Sequence, residues 1–273
     1  MGTHLLKTIS EIAGITYKGG LKDKVFVTLL AISVLSFLVL IPAASSLSMR
    51  QVREVAVSLS LSMLSLVSLA LTVFLGVTLF YRDIERRFAH SVMALPVSRE
   101  KYLLGKFLGL SLIVGSGLLL LSSFVMIGIS IASTIHQSTI PILWENFAAA
   151  VFFEFISLII IAGISILFSS FSTNIFLPLF ATLGFYVIGN VSQTVMDYIR
   201  SPHGKDLPSF SVYLSKAAYY IFPNLSALDL KFNAIYSLPL SPMHMITLLA
   251  YALLYLTVVL GLALLIFRRR ELL

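Results

Sequence analysis

The chain has 273 residues, of which 58% are apolar and 11% are charged, whereas ordinary soluble domains hold roughly 45–50% and about 25%. A soluble core of this size could not hide so much apolar surface, which excludes a soluble globular domain. The formal net charge of +7 comes from Lys and Arg residues beside the apolar runs. It therefore predicts contact with membrane lipid, through anionic headgroups, and no contact with nucleic acid.

The first 24 residues predict a helix that lies on the membrane surface. Apolar side chains recur there at helical spacing while charged residues fall on other faces. The apolar positions are Leu5, Leu6, Ile9, Ile12 and Ala13. Gly19-Gly20 is expected to end this interfacial helix (1–24). No signal-peptide cleavage pattern follows the first long apolar run, so its helix is expected to be retained.

Six apolar runs follow, each long enough to cross about 30 Å of hydrocarbon at 1.5 Å per residue. In lipid every backbone polar group must be paired within the chain, and runs this long exclude barrel strands. The fold class is therefore all-α, a polytopic integral membrane protein with six transmembrane helices. The predicted spans are 25–44, 55–80, 107–132, 147–169, 175–192 and 243–267. Ser241-Pro242 supplies an N-cap and a first-turn proline for the last span.

The distribution of positive charge predicts the orientation. Thirteen of the 19 Lys and Arg residues lie in the N-terminal segment, the second and fourth links and the C-terminal tail. Both termini are therefore expected to be cytoplasmic. The segment 193–241 is then outside, where turn-rich sequence at 201–209 and interfacial tyrosines predict short helices over the outer mouth.

The second link, within 81–106, has the most concentrated charge of the sequence. Its apolar residues repeat at helical spacing, its charged residues cluster at one end, Pro96 breaks the run and Ser98 can cap the next helix. The pattern fits a solvated hairpin, or a short docking helix that inserts apolar side chains into a partner's groove. The candidate residues are Arg82, Asp83, Ile84, Glu85, Arg86, Arg87, Phe88, Val92 and Leu95.

Few polar residues lie inside the spans. Glu154 is the only acidic residue well inside one, and because a carboxylate in lipid is costly it is expected to face protein or water. Both a helix contact and a substrate or ion contact remain open for it. Ser58, Ser62, Ser65 and Thr72 form one stripe on the second span, which indicates helix packing or a pathway lining. The five histidines lack metal-ligand spacing, so no metal site is predicted.

Several short motifs of this sequence resemble one family. The segments 82–86 (RDIER), 95–99 (LPVSR) and 102–109 (YLLGKFLG) are similar to the cytoplasmic signature of permease subunits of the ABC-2 transporter family. The six-helix plan and the segments 222–226 (FPNLS) and 267–272 (FRRREL) are similar as well, so the resemblance covers nearly the whole chain, 1–273, as one transmembrane domain. The sequence departs from the family at Arg87-Phe88, where members often carry Gly-Thr.

The resemblance implies a division of labour between chains. The link between helices two and three would be a coupling helix, seated in a cytoplasmic ABC ATPase subunit. ATP and Mg would bind to that partner. A second permease copy would complete a homodimeric exporter in the inner (plasma) membrane, with a periplasmic or extracellular accessory protein as a further partner. The chain has no P-loop, because Glu100 precedes Gly105-Lys106 where that motif needs a glycine. It is therefore expected to bind no cofactor and to have no catalytic residues of its own.

Two other functions stay open at this point. A secondary transporter driven by an ion gradient would show an inverted repeat and broken helices with midplane charges, which the sequence lacks. A non-transporting membrane scaffold would tolerate loss of Glu154 and would stimulate no ATPase. Nothing in the residues names a cargo.

Overall fold

A computed structural model describes residues 2–46, 52–85, 98–135, 143–202 and 208–269. The regular elements of these residues are all helices, and none of the described residues forms a strand. Its elements are α1 Gly2–Leu21, α2 Lys24–Ser46, α3 Val52–Glu85, α4 Arg99–Ile135, α5 Trp144–Ser169, α6 Phe176–Arg200, α7 Ser209–Ile221, a 3₁₀ turn Ser226–Leu228, α8 Lys231–Ile235 and α9 Pro242–Arg269.

Five helices of the described chain are long and apolar enough to cross a membrane: α3, α4, α5, α6 and α9. They confirm an all-α polytopic membrane protein. The sixth predicted span coincides with α2, whose described apolar stretch, Lys24–Val39, is shorter. Six spans therefore stay a prediction.

Helices α3, α4 and α5 form the centre of the bundle. Between 50% and 56% of their apolar windows is buried, compared with 22% for α6 and 17% for α9. Helix α4 packs against α1, α2, α3, α5 and α9, while α5 also contacts α6 and α8. The apolar faces that remain exposed on α6 and α9 are available to lipid.

Helices α3 and α4 extend beyond their predicted spans. They contain 34 and 37 residues, which corresponds to about 51 and 56 Å of helix, more than the roughly 30 Å of a hydrocarbon core. The apolar pattern predicted only the part in lipid, because polar residues continue the helices past it. The end of the bundle where α3 stops and α4 begins is called the link end here. The opposite end, where α6 stops and α9 begins, is called the loop end.

Helix α1 ends at Leu21, one residue after the predicted stop at Gly19-Gly20. It packs along α4 in a parallel direction. Gly20 lies against Ile113, so closely that a Cβ there would overlap the isoleucine Cδ1. Glycine at this position thus also permits a close helix contact. Of the predicted apolar positions, Ile9 and Ala13 are buried.

Residues 193–241, called the loop-end segment here, contain the short helices that were predicted there. Helix α6 continues to Arg200, past the predicted end of the span at 192, and α7, the 3₁₀ turn and α8 follow it. Helix α9 starts at Pro242, as Ser241-Pro242 predicted, and the Ser241 carbonyl accepts the Met245 N–H at 3.1 Å.

We predict that Gly109→Ala loosens α1 from α4. The new Cβ would lie 2.6 Å from Thr16 Cβ and 2.9 Å from the Ala13 carbonyl oxygen, so the two helices must separate. Overpacking of this kind typically costs about 1–3 kcal/mol. The measurement is the midpoint of thermal unfolding in a mild detergent. Gly14→Ala is the matched control, because nothing lies within 4 Å of its Cβ position, and equal midpoints for the two variants would contradict the prediction.

Candidate functional site

An aromatic cluster joins three helices at the link end. Phe80 of α3, Tyr102 of α4 and Phe267 of α9 are each 2% exposed, and their ring centroids lie 5.7–6.3 Å apart. Edge and stacked ring contacts of this geometry add roughly 0.5–1.5 kcal/mol per pair beyond area burial. The cluster fixes the start of α4 and the end of α9 against α3.

Charged residues reinforce the same junction. The Arg99 guanidinium donates to the Arg268 carbonyl oxygen at 2.9 Å, which satisfies an otherwise open acceptor at the C-terminus of α9. The Arg268 side chain pairs with Glu100 at 3.0 Å, but this pair is exposed and is worth about 0–1 kcal/mol. Lys106 is buried beneath this layer, with its Nζ 5.8 Å from the centroid of the Tyr102 ring.

The predicted coupling residues begin directly beyond this junction. Arg82, Asp83, Ile84 and Glu85 form the last turn of α3. The other five candidates lie outside the described residues: Arg86, Arg87, Phe88, Val92 and Leu95. The described structure therefore places the entry and exit of the link against the aromatic cluster, while the coupling helix itself stays a prediction.

A polar cluster surrounds Glu154, within the bundle toward the loop end. Glu154 is partly buried on α5, and the Ser65 side chain of α3 acts on its carboxyl group. The charges of Lys231 and Asp229 also act on it, and these two pair with each other at 3.4 Å. The carboxylate thus faces protein polar groups, as expected from the cost of placing it in lipid.

The space beside Glu154 is small. Ser157 of α5, Tyr186 and Asn190 of α6 and the 225–231 segment enclose a cavity of about 10 Å³. That volume suits about one water molecule. The cluster can therefore hold a proton or a water in this arrangement, and nothing as large as an organic cargo.

The predicted small-residue stripe of α3 divides into separate environments. Ser65 and Thr72 are buried, and the Thr72 hydroxyl donates to the Ser68 carbonyl at 2.7 Å. Ser58 is partly buried and Ser62 is exposed. The structure thus brings Ser65 to Glu154 and leaves Ser62 outside that cluster.

A third group, centred on Asn224, was missed as a site by reasoning from sequence. The Asn224 side chain donates to the Gln193 carboxamide oxygen at 2.7 Å and accepts the Ala227 N–H at 3.2 Å. Its backbone N–H donates to the Tyr251 hydroxyl at 2.7 Å. The sequence near Asn224 indicates only that this Asn can cap the short turn after it. Its partners on α6 and α9 are distant in the sequence, so no local pattern predicts them.

This loop-end segment sits directly on α6. A Cβ at Gly189 would lie 2.5 Å from the Pro223 carbonyl oxygen, and the Leu225 N–H donates to the Gly189 carbonyl at 3.2 Å. Only glycine allows the two backbones to approach so closely. The contact places residues 225–231 where Asp229 and Lys231 can reach Glu154.

Comparison with known protein families identifies the family of this chain. The sequence model of a family described as "ABC-2 family transporter protein" matches residues 30–228. The chain belongs to the ABC-2 transporter family. The match runs from α2 to the 3₁₀ turn, so it includes Glu154 and Asn224, while Asp229, Lys231 and Tyr251 lie beyond it. A search of curated proteins found no significant match.

Membership in the ABC-2 family confirms the resemblance drawn from the short motifs. It identifies a membrane domain of a transporter and implies association with an ATPase subunit in general. It does not assign roles to single residues. The Glu154, Asn224 and aromatic clusters are therefore assigned to this ABC-2 protein from its own geometry.

We predict that Lys231→Met destabilises the ABC-2 domain by about 1–3 kcal/mol, because it leaves the carboxylates of Glu154 and Asp229 without their cation. The double variant with Glu154→Gln should recover part of this loss. The readout is the free energy of unfolding, and the coupling expected from the cycle is at least about 0.5 kcal/mol. Lys216→Met on exposed α7 should change stability by less than about 0.5 kcal/mol. Strict additivity in the cycle would show that Lys231 does not act on Glu154.

Proposed function

We propose that the chain is the membrane-spanning permease subunit of an ATP-driven exporter, in which a separate ATPase subunit hydrolyses ATP. The observation that carries this proposal is the family match over residues 30–228. Two permease copies would form a homodimer with the pathway between them. ATP and Mg would be bound by the partner ATPase.

The geometry of the link end supports a coupling role. Helix α3 continues nine residues past Gly76, which contacts Ser165 near the end of α5, and this extension is about 14 Å long. Helix α4 likewise begins well before its contact with α5, so both helices rise beyond the end of α5. Because the aromatic cluster ties them to α9, a force on the link would move three helices together.

Charge at the link end supports its cytoplasmic orientation. Described cations there include Arg99 of α4 and Arg268 and Arg269 of α9. Anionic lipid in a cytoplasmic leaflet favours this arrangement, and Lys and Arg are retained on the cytoplasmic side during insertion.

The surroundings of Gly105-Lys106 support the need for a separate ATPase. Both residues lie inside α4, and Gly105 faces Ile12 of α1 so closely that a Cβ would be 2.7 Å from the isoleucine Cβ. A phosphate-binding loop needs exposed backbone N–H groups. Here the N–H groups belong to a continuous helix that is packed against a neighbour.

Purification of the tagged chain from its native membrane tests the proposal. A P-loop ATPase should co-purify at about one per permease chain, with measurable ATPase activity. Ile84→Asp with Phe88→Asp should abolish both, because two charges would replace the apolar face of the proposed coupling helix. Phe210→Asp is the matched control, since it places the same charge on an exposed residue of the loop end and should leave the complex intact.

A folded chain that purifies alone, without ATPase activity, would overturn the permease proposal. Transport into proteoliposomes driven by a proton or sodium gradient, and lost in Glu154→Gln, would then establish an ion-driven transporter. Absence of any transport would favour the membrane scaffold.

A further inference from the structure

A long apolar groove runs between α4 and α5. Its volume is about 780 Å³. Small residues of α4 and aromatic residues of α5 line it. The ring of Phe155 lies over Gly115, where a Cβ added to the glycine would be 3.0 Å from the ring. No described contact in the chain fills this space, and it is separate from the Glu154 cluster.

The groove runs along the membrane normal and spans most of the thickness of the hydrocarbon core. Along α4 it extends from Ser111 to Met126, which is about 22 Å of helix out of roughly 30 Å of hydrocarbon. Tyr17 of α1 lines its link end and Trp144 its loop end. Aromatic residues of these types mark membrane–water interfaces.

The dimensions suit an extended occupant. The groove is about 22 Å long and holds about 780 Å³, which accommodates an extended hydrocarbon chain. A helix of a second copy is the competing occupant, and the variants described below distinguish the two.

The polar atoms of the groove favour an apolar occupant. The hydroxyls of Ser111, Ser116 and Ser122 donate to the carbonyls of Phe107, Ile113 and Leu119 in their own helix, each at 2.9 Å. These three donors are therefore already used inside α4. An occupant that needs hydrogen-bond donors would leave its acceptors unpaired beside them, whereas an acyl chain has no acceptors to satisfy.

Positive charge near the Ser111 end of the groove favours an anionic lipid headgroup there. Thr16 lies against Gly109 and Gly20 against Ile113, so Lys18 is level with the end of the groove at Ser111. Lys18, Lys22 and Lys24 are exposed. The one acid among them, Asp23, uses a carboxylate oxygen to accept the Val25 N–H at 2.8 Å. Each basic residue near a membrane surface attracts anionic lipid by about 1 kcal/mol.

We propose that this groove binds one acyl chain of a resident anionic phospholipid, whose headgroup lies at Lys18 and Lys22. The site holds lipid as a fixed part of the membrane domain, independently of the proposed transport function. An acyl chain there fills the space between α4 and α5 and joins α1 to the bundle through its headgroup.

Fluorescence of Trp144 provides a direct test, because it is the only tryptophan of the chain and it lines the groove. The purified full-length chain is titrated with phosphatidylglycerol brominated near the methyl ends of its chains. Quenching should saturate at about one lipid per protein and should resist a large excess of unlabelled phosphatidylcholine. Native mass spectrometry should show the same single retained phosphatidylglycerol.

Two variants locate the site. Ala148→Phe fills the groove from its exposed rim and should weaken retention at least tenfold, whereas Ala250→Phe on exposed α9 should not. Lys18→Gln with Lys22→Gln should remove the preference for phosphatidylglycerol over phosphatidylcholine. Thermal unfolding and circular dichroism confirm that each variant is folded.

Three results would overturn the proposal. Quenching that phosphatidylcholine displaces freely would show ordinary annular lipid only. Unchanged retention in Ala148→Phe would place the lipid elsewhere. Loss of dimers in Ala148→Phe with unchanged lipid would make the groove an interface between copies.

Discussion

Helices in hydrocarbon gain little by burying apolar side chains against one another, since lipid tails are equally apolar. Their association depends on backbones that come close enough for dense van der Waals contact. In this bundle Gly105 and Gly109 pack against α1, Gly76 packs against Ser165 of α5, and Gly189 packs against Pro223 of the loop-end segment. At each of these positions a methyl group would lie within 3 Å of its neighbour. Because these glycines have no side chain, α1 can pack on α4, α3 can pack on α5, and the loop-end segment can pack on α6.

The same solvent determines where polar chemistry can occur. The hydroxyls of Ser60 and Thr72, in the middle of the bundle, donate to carbonyls of their own helix, so they present little polarity to neighbouring helices. Unsatisfied groups are costly in lipid, and the stronger polar groups accordingly gather at the two ends. Cations and aromatic rings hold the link end, and amide hydrogen bonds around Asn224 hold the loop end. Glu154 is the exception, and three segments supply its polar neighbours.

The sequence predicted those parts of the structure that depend on local pattern. Long apolar runs located five spans, Ser241-Pro242 located the start of α9, and the cost of a charge in lipid predicted that Glu154 faces protein. The end of α1 was predicted from Gly19-Gly20 to within one residue, whereas the close contact of Gly20 with Ile113 was not predictable, because Ile113 is distant in the sequence. The approach of Lys231 to Glu154 was not predictable, since 77 residues separate them and the intervening fold brings them together. The link residues 86–97 and the roles proposed for them remain predictions.

Helix α3 connects the two ends of the molecule. Phe80 lies in its link-end cluster and Ser65, fifteen residues earlier, acts on Glu154, so one helix segment of about 22 Å joins both sites. If an ATPase acts on the link as proposed, an axial shift of α3 moves Ser65 past α5 by the same distance. A shift of about 1–2 Å is typical of helices at moving interfaces, and it would change the position of Ser65 beside Glu154. Helix α3 also contacts α8, which begins at Lys231, and α9 carries the Tyr251 hydroxyl that accepts from the Asn224 N–H. Since the aromatic cluster ties α3 to α9, such a shift would act on the loop-end segment as well as on Ser65.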